Sequence, residues 1–133
     1  MAIKVRILLF ASLFAMFLVL GCESSSTPSR VYGRIKYRGM LVTGGTIAFR
    51  PTTEGEGGYY KCAIKPDGTY EGTDFPAGEF VVTIENESTN PHPAAVANGR
   101  FVPIPNRYAD EKTSGLRRIL TKGSNNFDFD LTD

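Results

Sequence analysis

The side chains best suited to chemistry in this chain are two cysteines and a single histidine. A nucleophilic cysteine needs nearby positive charge or a helix N-terminus, and a catalytic histidine needs a fixed partner and a nucleophile. Cys62 lies in an alternating segment that places Lys61 on the opposite face. His92 lies between two prolines in Asn90-Pro91-His92-Pro93. We interpret Cys62 as a small buried side chain, with a reactive or intermolecularly paired thiol as alternatives, and His92 as an exposed loop residue.

Acidic and glycine-rich positions do not form a recognisable ligand site either. Asp128 and Asp130 are separated by about 7 Å along a strand, whereas calcium prefers about six to eight oxygen ligands. The segment Glu54-Gly55-Glu56-Gly57-Gly58 lacks the Lys-Ser/Thr pair and the following helix of a phosphate loop. We therefore predict no catalytic residue, no metal site and no cofactor.

Length and charge restrict the class of protein. The chain has 133 residues, which suits one domain, and its formal net charge is +1. A typical nucleic-acid binder needs a clustered excess of Lys and Arg, so no nucleic-acid partner is predicted. The 14 glycines and eight prolines argue against a helical bundle.

The first 21 residues are typical of a secretory signal. Lys4 and Arg6 precede an apolar run from Ile7 to Leu20 that is interrupted by Ser12. A membrane-spanning helix needs about 20 apolar residues, and this run is shorter. We predict a signal peptide over residues 1–21. A retained anchor helix is an alternative.

The end of this run, Val19-Leu20-Gly21-Cys22, resembles the lipobox of bacterial lipoproteins. The resemblance implies cleavage between Gly21 and Cys22, acylation of Cys22, and attachment of the mature chain to a membrane outside the cytoplasm. Glu23 is not the aspartate associated with inner-membrane retention, so the outer membrane or cell surface is expected. A plain signal peptide cleaved elsewhere is the alternative. Residues 22–29 are small and polar, which predicts a flexible tether.

From residue 30 onwards, apolar and polar side chains alternate in short segments bounded by turn residues. Phe80, Val82 and Ile84 share one face of a strand over Glu79–Glu85. Lys65-Pro66-Asp67-Gly68 has the chemistry of a tight turn and predicts a hairpin. We predict an all-β domain over residues 30–133, a single antiparallel Greek-key β-sandwich of about seven strands.

Residues 86–109 are the exception, because they contain four prolines and no clear element except a helical turn near Asn106. Loops of this length are often functional. Phe101, Arg107 and Tyr108 are candidate ligand-binding residues. Alternatively, Tyr108 beside Arg107 plugs one end of the sandwich. Tyr59 and Tyr60 point in opposite directions on a strand, so at least one is expected to be exposed.

Several short motifs together resemble carboxypeptidase regulatory-like domains, which have a transthyretin-like (prealbumin-like) sandwich. The motifs are Val31-x-Gly33-x-Ile35, Gly45-x-Ile47-x-Phe49, Asp67-Gly68-x-Tyr70 and Pro76-x-Gly78-x-Phe80-x-Val82-x-Ile84. With the lipobox, the whole chain resembles small lipoproteins abundant in planctomycete-type bacteria, a group that implies a fold and a location but no catalytic residues. In this family an apolar residue usually follows two positions after the tyrosine that corresponds to Tyr70. Gly72 stands there in this chain, which predicts a strand that ends early or carries a bulge.

The sequence therefore predicts a lipid-anchored, extracytoplasmic β-sandwich that is not an enzyme. Its expected partners are the membrane, through the lipid, and an envelope protein or glycan, in an interaction or structural role. The alternative is an accessory lipoprotein that binds a carbohydrate or small ligand through the 86–109 loop.

Overall fold

The computed structural model describes residues 28–53, 58–86 and 101–133. The signal peptide, Cys22, most of the tether and His92 lie outside these residues. Within them, no helix is long and apolar enough to span a membrane. The chain order of the elements is β1 (Ser29–Tyr37), β2 (Met40–Leu41), β3 (Thr46–Pro51), β4 (Tyr60–Ala63), β5 (Thr69–Phe75), β6 (Gly78–Glu85), a 3-10 helix (Asn106–Ala109), β7 (Leu116–Leu120), β8 (Ser124–Asn126) and β9 (Phe129–Leu131).

The strands form two sheets that share one hydrophobic core. In the first sheet, β1 pairs antiparallel with β2 and β5 and parallel with β8 and β9. The second sheet has the order β4-β3-β6-β7 and is antiparallel throughout. The predicted all-β sandwich is confirmed. It differs in detail, since β1 also has parallel neighbours and the described residues contain nine strands rather than about seven.

The alternating pattern correctly identifies the core. Phe80, Val82 and Ile84 are buried on β6, and Phe49 is buried on β3. Aromatic rings from both sheets meet at Phe49, whose centroid lies 5.4 Å from that of Phe75 and 6.1 Å from that of Tyr70. These rings and their aliphatic neighbours hold the two sheets together by removing apolar surface from water.

The turn at Lys65–Gly68 has the predicted geometry but a different role. The amide of Gly68 donates to the carbonyl of Lys65 at 2.9 Å, and the amide of Lys65 donates to the carbonyl of Thr69 at 2.8 Å. However, β4 pairs with β3, whereas β5 pairs with β1. The turn therefore carries the chain from one sheet to the other, and the predicted hairpin is wrong.

Gly33 allows the bend between β8 and β9 to approach β1 closely. A Cβ at Gly33 would lie 2.6 Å from the carbonyl carbon of Phe127 and closer still to its oxygen. That oxygen accepts a hydrogen bond of 2.6 Å from the Tyr70 hydroxyl. Asp128 follows, and its carboxylate accepts a 2.8 Å hydrogen bond from the amide of Arg34. Asp128 thus anchors the bend between β8 and β9.

Gly72 has a similar steric role inside the sandwich. A Cβ there would lie 2.5 Å from the Cys62 Sγ and 2.7 Å from the ring of Phe75. The pairing of β1 with β5 shifts register here, because Ser29 is opposite Phe75 while Val31 is opposite Gly72. Of the two outcomes expected at Gly72, the bulge is confirmed, and the strand continues to Phe75.

Candidate functional site

Cys62 is enclosed in the core rather than exposed for reaction. Its side chain lies on β4 and the residue is 5% exposed. Burial raises the pKa of the thiol to about 11. Since the thiolate is the nucleophile, this environment makes Cys62 less reactive than a free thiol. The interpretation of Cys62 as a small buried side chain is confirmed.

The buried thiol predicts a pH profile for alkylation. In Cys22→Ser protein, Cys62 is the sole thiol, because the chain has two cysteines. At pH 9.0, the ordinary pKa, we expect slow labelling of the folded protein by iodoacetamide and fast labelling after denaturation. The folded-state pKa is raised, so the protonated thiol contributes stability that is lost as pH rises from 9.0 towards 11. Equal labelling rates for folded and denatured protein would contradict the burial.

Two of the three candidate loop residues contact the segment that follows β9. Tyr108 is 4% exposed and belongs to the core cluster. Its hydroxyl accepts a hydrogen bond from the Thr132 amide at 3.0 Å and donates one to the Thr132 carbonyl at 2.9 Å. The Arg107 guanidinium lies 4.5 Å from the Tyr108 ring centroid and donates to the carbonyls of Thr132 and Asp133.

This arrangement corresponds to the alternative in which Tyr108 closes one end of the sandwich. Phe101 is half-buried, and it directly follows residues that the structure does not describe. A ligand-binding role for Phe101, Arg107 and Tyr108 stays a prediction. The hydroxyl of Tyr108 is fully used within the protein, because it donates once and accepts from both the Thr132 amide and Arg107.

Tyr108→Phe tests this structural role. The substitution keeps the ring but removes the hydroxyl that pairs with the Thr132 amide, while the Thr132 carbonyl keeps its hydrogen bond from Arg107. We expect it to lower the free energy of unfolding by about 1 kcal/mol, the usual net contribution of a hydrogen bond. Chemical denaturation monitored by circular dichroism measures this difference. A loss below about 0.3 kcal/mol would show that these hydrogen bonds are replaceable by water.

Tyr59 is the aromatic side chain that remains available for contact. It is 53% exposed, whereas its neighbour Tyr60 packs inward with a ring centroid 5.1 Å from that of Phe75. The predicted opposite orientation of the two tyrosines is confirmed. Arg50 points outward from β3, on the opposite side of the strand from Phe49, and lies near the Tyr59 ring.

Glu111 joins these residues across the face of the second sheet. Its carboxylate accepts hydrogen bonds from the Tyr59 hydroxyl and from the Arg50 guanidinium. The guanidinium carbon of Arg50 and the ammonium nitrogen of Lys61 lie 5.9 and 5.8 Å from the Tyr59 ring centroid. We refer to Arg50, Tyr59, Lys61 and Glu111 as the Tyr59 surface.

Hydrogen bonding fixes the charges of this surface. The hydrogen bond from Tyr59, followed by that from Arg50, lowers the pKa of Glu111. The same contact with Glu111 raises the pKa of Tyr59, so the phenol stays neutral. A carboxylate with a lowered pKa is a poor general acid at neutral pH. The Tyr59 surface therefore suits non-covalent contact between a half-exposed ring, fixed charges and a partner.

The sequence indicated Tyr59 but not its partners. Glu111 lies in the turn after the 3-10 helix, 52 positions beyond Tyr59. Neighbouring side chains on a strand point to opposite faces, so an inward Phe49 predicts an outward Arg50. It does not predict the contact of Arg50 with Glu111. Within residues 28–53, 58–86 and 101–133, no three metal-binding side chains form a cluster.

Comparisons with known proteins establish the fold rather than a family. No family model matches the sequence, and no curated protein is significantly similar to it. A DUF3823 family protein from Parabacteroides merdae is similar in structure, with a TM-score of 0.52 and 15% identity over 79% of this chain. This chain spans 46% of that protein, less than half of its length. At this identity the likeness shows a shared fold.

Two further solved structures are more distant. A DUF3823 family protein from Bacteroides ovatus has a TM-score of 0.48 and 15% identity, over 77% of this chain and 44% of that chain. The dioxygenase domain of a dioxygenase carbohydrate-binding protein fusion from Streptomyces sp. SirexAA-E has a TM-score of 0.45 and 17% identity, over 82% of this chain and 83% of that chain. The resemblance to carboxypeptidase regulatory-like domains stays a prediction.

Proposed function

We propose that this protein is a lipid-anchored, extracytoplasmic β-sandwich that acts without catalysis by binding another protein of the cell envelope. The Tyr59 surface is the observation that carries this proposal. It combines a half-exposed tyrosine with an outward arginine on a sheet, and these two residue types are enriched at the energetic centres of protein interfaces. The buried thiol of Cys62 gives no support to a nucleophilic alternative.

The resemblance of residues 19–22 to a lipobox supports the proposed anchor, and the short distance between Cys22 and the domain supports an orientation for it. Six peptide units separate Cys22 from Pro28, so an extended tether spans at most about 20 Å. The start of β1 lies opposite Phe75, and the amide of Arg30 contacts the Gly123 carbonyl. This end of the sandwich would therefore face the lipid surface. Acylation by two or three chains would hold the domain stably, whereas one chain would bind marginally.

Fractionation tests the anchor. We expect the wild-type protein to sediment with membranes and to partition into detergent, and the Cys22→Ser protein to lose both properties. The loss should be nearly complete, because each buried CH₂ contributes about 0.8 kcal/mol to membrane binding. Unchanged partitioning of Cys22→Ser would show that the chain is held in another way.

Cross-linking in the native envelope tests the contact. We expect one protein to co-purify with the wild type, and its recovery to fall about tenfold in Tyr59→Ala and Arg50→Ala. Arg117→Ala is the matched control, because Arg117 also points outward from the second sheet and pairs with a carboxylate, that of Glu79. Equal recovery with all three variants would contradict the proposal. Loss of a glycan rather than a protein would favour the carbohydrate-binding alternative.

A further inference from the structure

A shallow cavity of about 330 Å³ lies on the outward face of the first sheet, remote from the Tyr59 surface. It is centred on β1 and bordered by β5, by the turn before β5 and by the chain between β8 and β9. We refer to the charged and aromatic side chains that line it as the basic groove; they are Arg30, Tyr32, Arg34, Lys65, Glu71 and Asp128.

Three cations and two carboxylates line the groove, and one of the two carboxylates is ion-paired within it. Glu71 forms an ion pair of 2.7 Å with Arg30, whose guanidinium carbon lies 5.3 Å from the Tyr32 ring centroid. Asp128 accepts a hydrogen bond from the backbone amide of Arg34 at 2.8 Å. The backbone hydrogen bond orients Asp128 without neutralising it, so the lining keeps a formal excess of one positive charge.

Two cations of the groove have no hydrogen-bonded or ion-paired partner among the described residues. The guanidinium of Arg34 and the ammonium of Lys65 are exposed, and neither makes a hydrogen bond or ion pair with a described residue. Asp67 attracts Lys65 without direct contact, since its carboxylate accepts hydrogen bonds from the amide and hydroxyl of Thr69. A guanidinium and an ammonium together match an anionic oxygen group, which the guanidinium can bind through two parallel hydrogen bonds.

The backbone around both cations is fixed before any ligand arrives. Arg34 is opposite Thr69 in the pairing of β1 with β5, and its amide is held by Asp128. Lys65 begins the turn whose two backbone hydrogen bonds involve Gly68 and Thr69. A site on ordered strands loses less conformational freedom on binding than one on a long loop.

The remaining lining indicates the class of ligand. Tyr32, Thr69 and Asn126 add an aromatic ring, a hydroxyl and an amide to the groove. β1, which carries Arg30, Tyr32 and Arg34, is paired on both sides and offers no free backbone edge to a peptide. We propose that the basic groove binds an acidic saccharide, with Arg34 and Lys65 holding its carboxylate or phosphate group and the polar lining contacting its hydroxyls. This proposal does not depend on the anchor or on the Tyr59 surface.

Titration calorimetry on the purified full-length protein in detergent tests the groove, with trigalacturonate as the carboxylate probe and glucose 6-phosphate as the phosphate probe. We expect saturable binding of at least one probe, weakened by added salt, and no binding of neutral maltotriose. Arg34→Gln combined with Lys65→Gln should weaken binding by about tenfold or more. Arg117→Gln combined with Lys112→Gln removes the same charge elsewhere and should leave binding unchanged.

The two probes distinguish the source of the anion, because the tighter one identifies a carboxylate or a phosphate as the preferred group. Absence of binding to both probes would overturn the proposal. So would binding that survives Arg34→Gln with Lys65→Gln, or that falls equally in the control pair. Equally tight binding of a poly-glutamate peptide would overturn the assignment to a saccharide. Circular dichroism of each variant verifies that the fold is intact.

Discussion

Gly33→Ala is expected to lower the free energy of unfolding by about 3 kcal/mol, the upper part of the range for overpacking a core. The new methyl group would meet the backbone carbonyl of Phe127, which cannot rotate away as a flexible side chain could. Moving that carbonyl would also break its hydrogen bond from Tyr70. Urea denaturation, followed by circular dichroism, measures the effect directly.

Gly39→Ala separates this steric effect from a general cost of replacing glycine. Gly39 has a φ of +80°, and a Cβ there would meet nothing within 4 Å. We expect a loss of about 1 kcal/mol, from backbone conformation alone. If Gly33→Ala is no more destabilising than Gly39→Ala, the bend between β8 and β9 does not approach β1 as closely as described.

Phe49→Ala is expected to have an even larger effect, about 3–5 kcal/mol. The Phe49 ring is fully buried and contacts the rings of Tyr70, Phe75 and Phe80, so it connects strands from both sheets. Its removal would leave a cavity that a close-packed sandwich cannot readily collapse. Thermal and urea denaturation should both show the loss.

Tyr59→Ala provides the control for Phe49→Ala, because Tyr59 is an aromatic residue on the outside of the same sheet. We expect it to cost less than about 1 kcal/mol, as for most exposed positions. That result would also show that the variant used in the cross-linking experiment is folded. Comparable losses for Phe49→Ala and Tyr59→Ala would contradict the assignment of Phe49 to the centre of the core.

Alternation predicted the strands well because it reports which side of a strand is buried. Phe80, Val82 and Ile84 needed no information beyond their own spacing. The pairing between strands was harder to predict. The Pro66-Asp67-Gly68 turn specifies a reversal of the chain, but whether the returning strand joins the same sheet depends on which neighbour offers a free edge and a matching apolar face.

That error in pairing also concealed the basic groove. Arg34 and Lys65 are 31 positions apart, and they line one cavity because β5 pairs with β1. The Tyr59 surface was partly predictable, because one of its members depends on local sequence alone. The exposure of Tyr59 follows from the inward orientation of its neighbour Tyr60. The contact of Tyr59 with Glu111 depends on how the segment after the 3-10 helix packs, which local sequence does not determine.

Mass spectrometry of the N-terminal peptide, taken from protein purified out of its native membrane, tests the proposed role of the chain most directly. We expect a mature chain whose first residue is Cys22, carrying two or three fatty acyl chains. An unmodified Cys22 thiol, or a mature chain that begins at another residue, would contradict it.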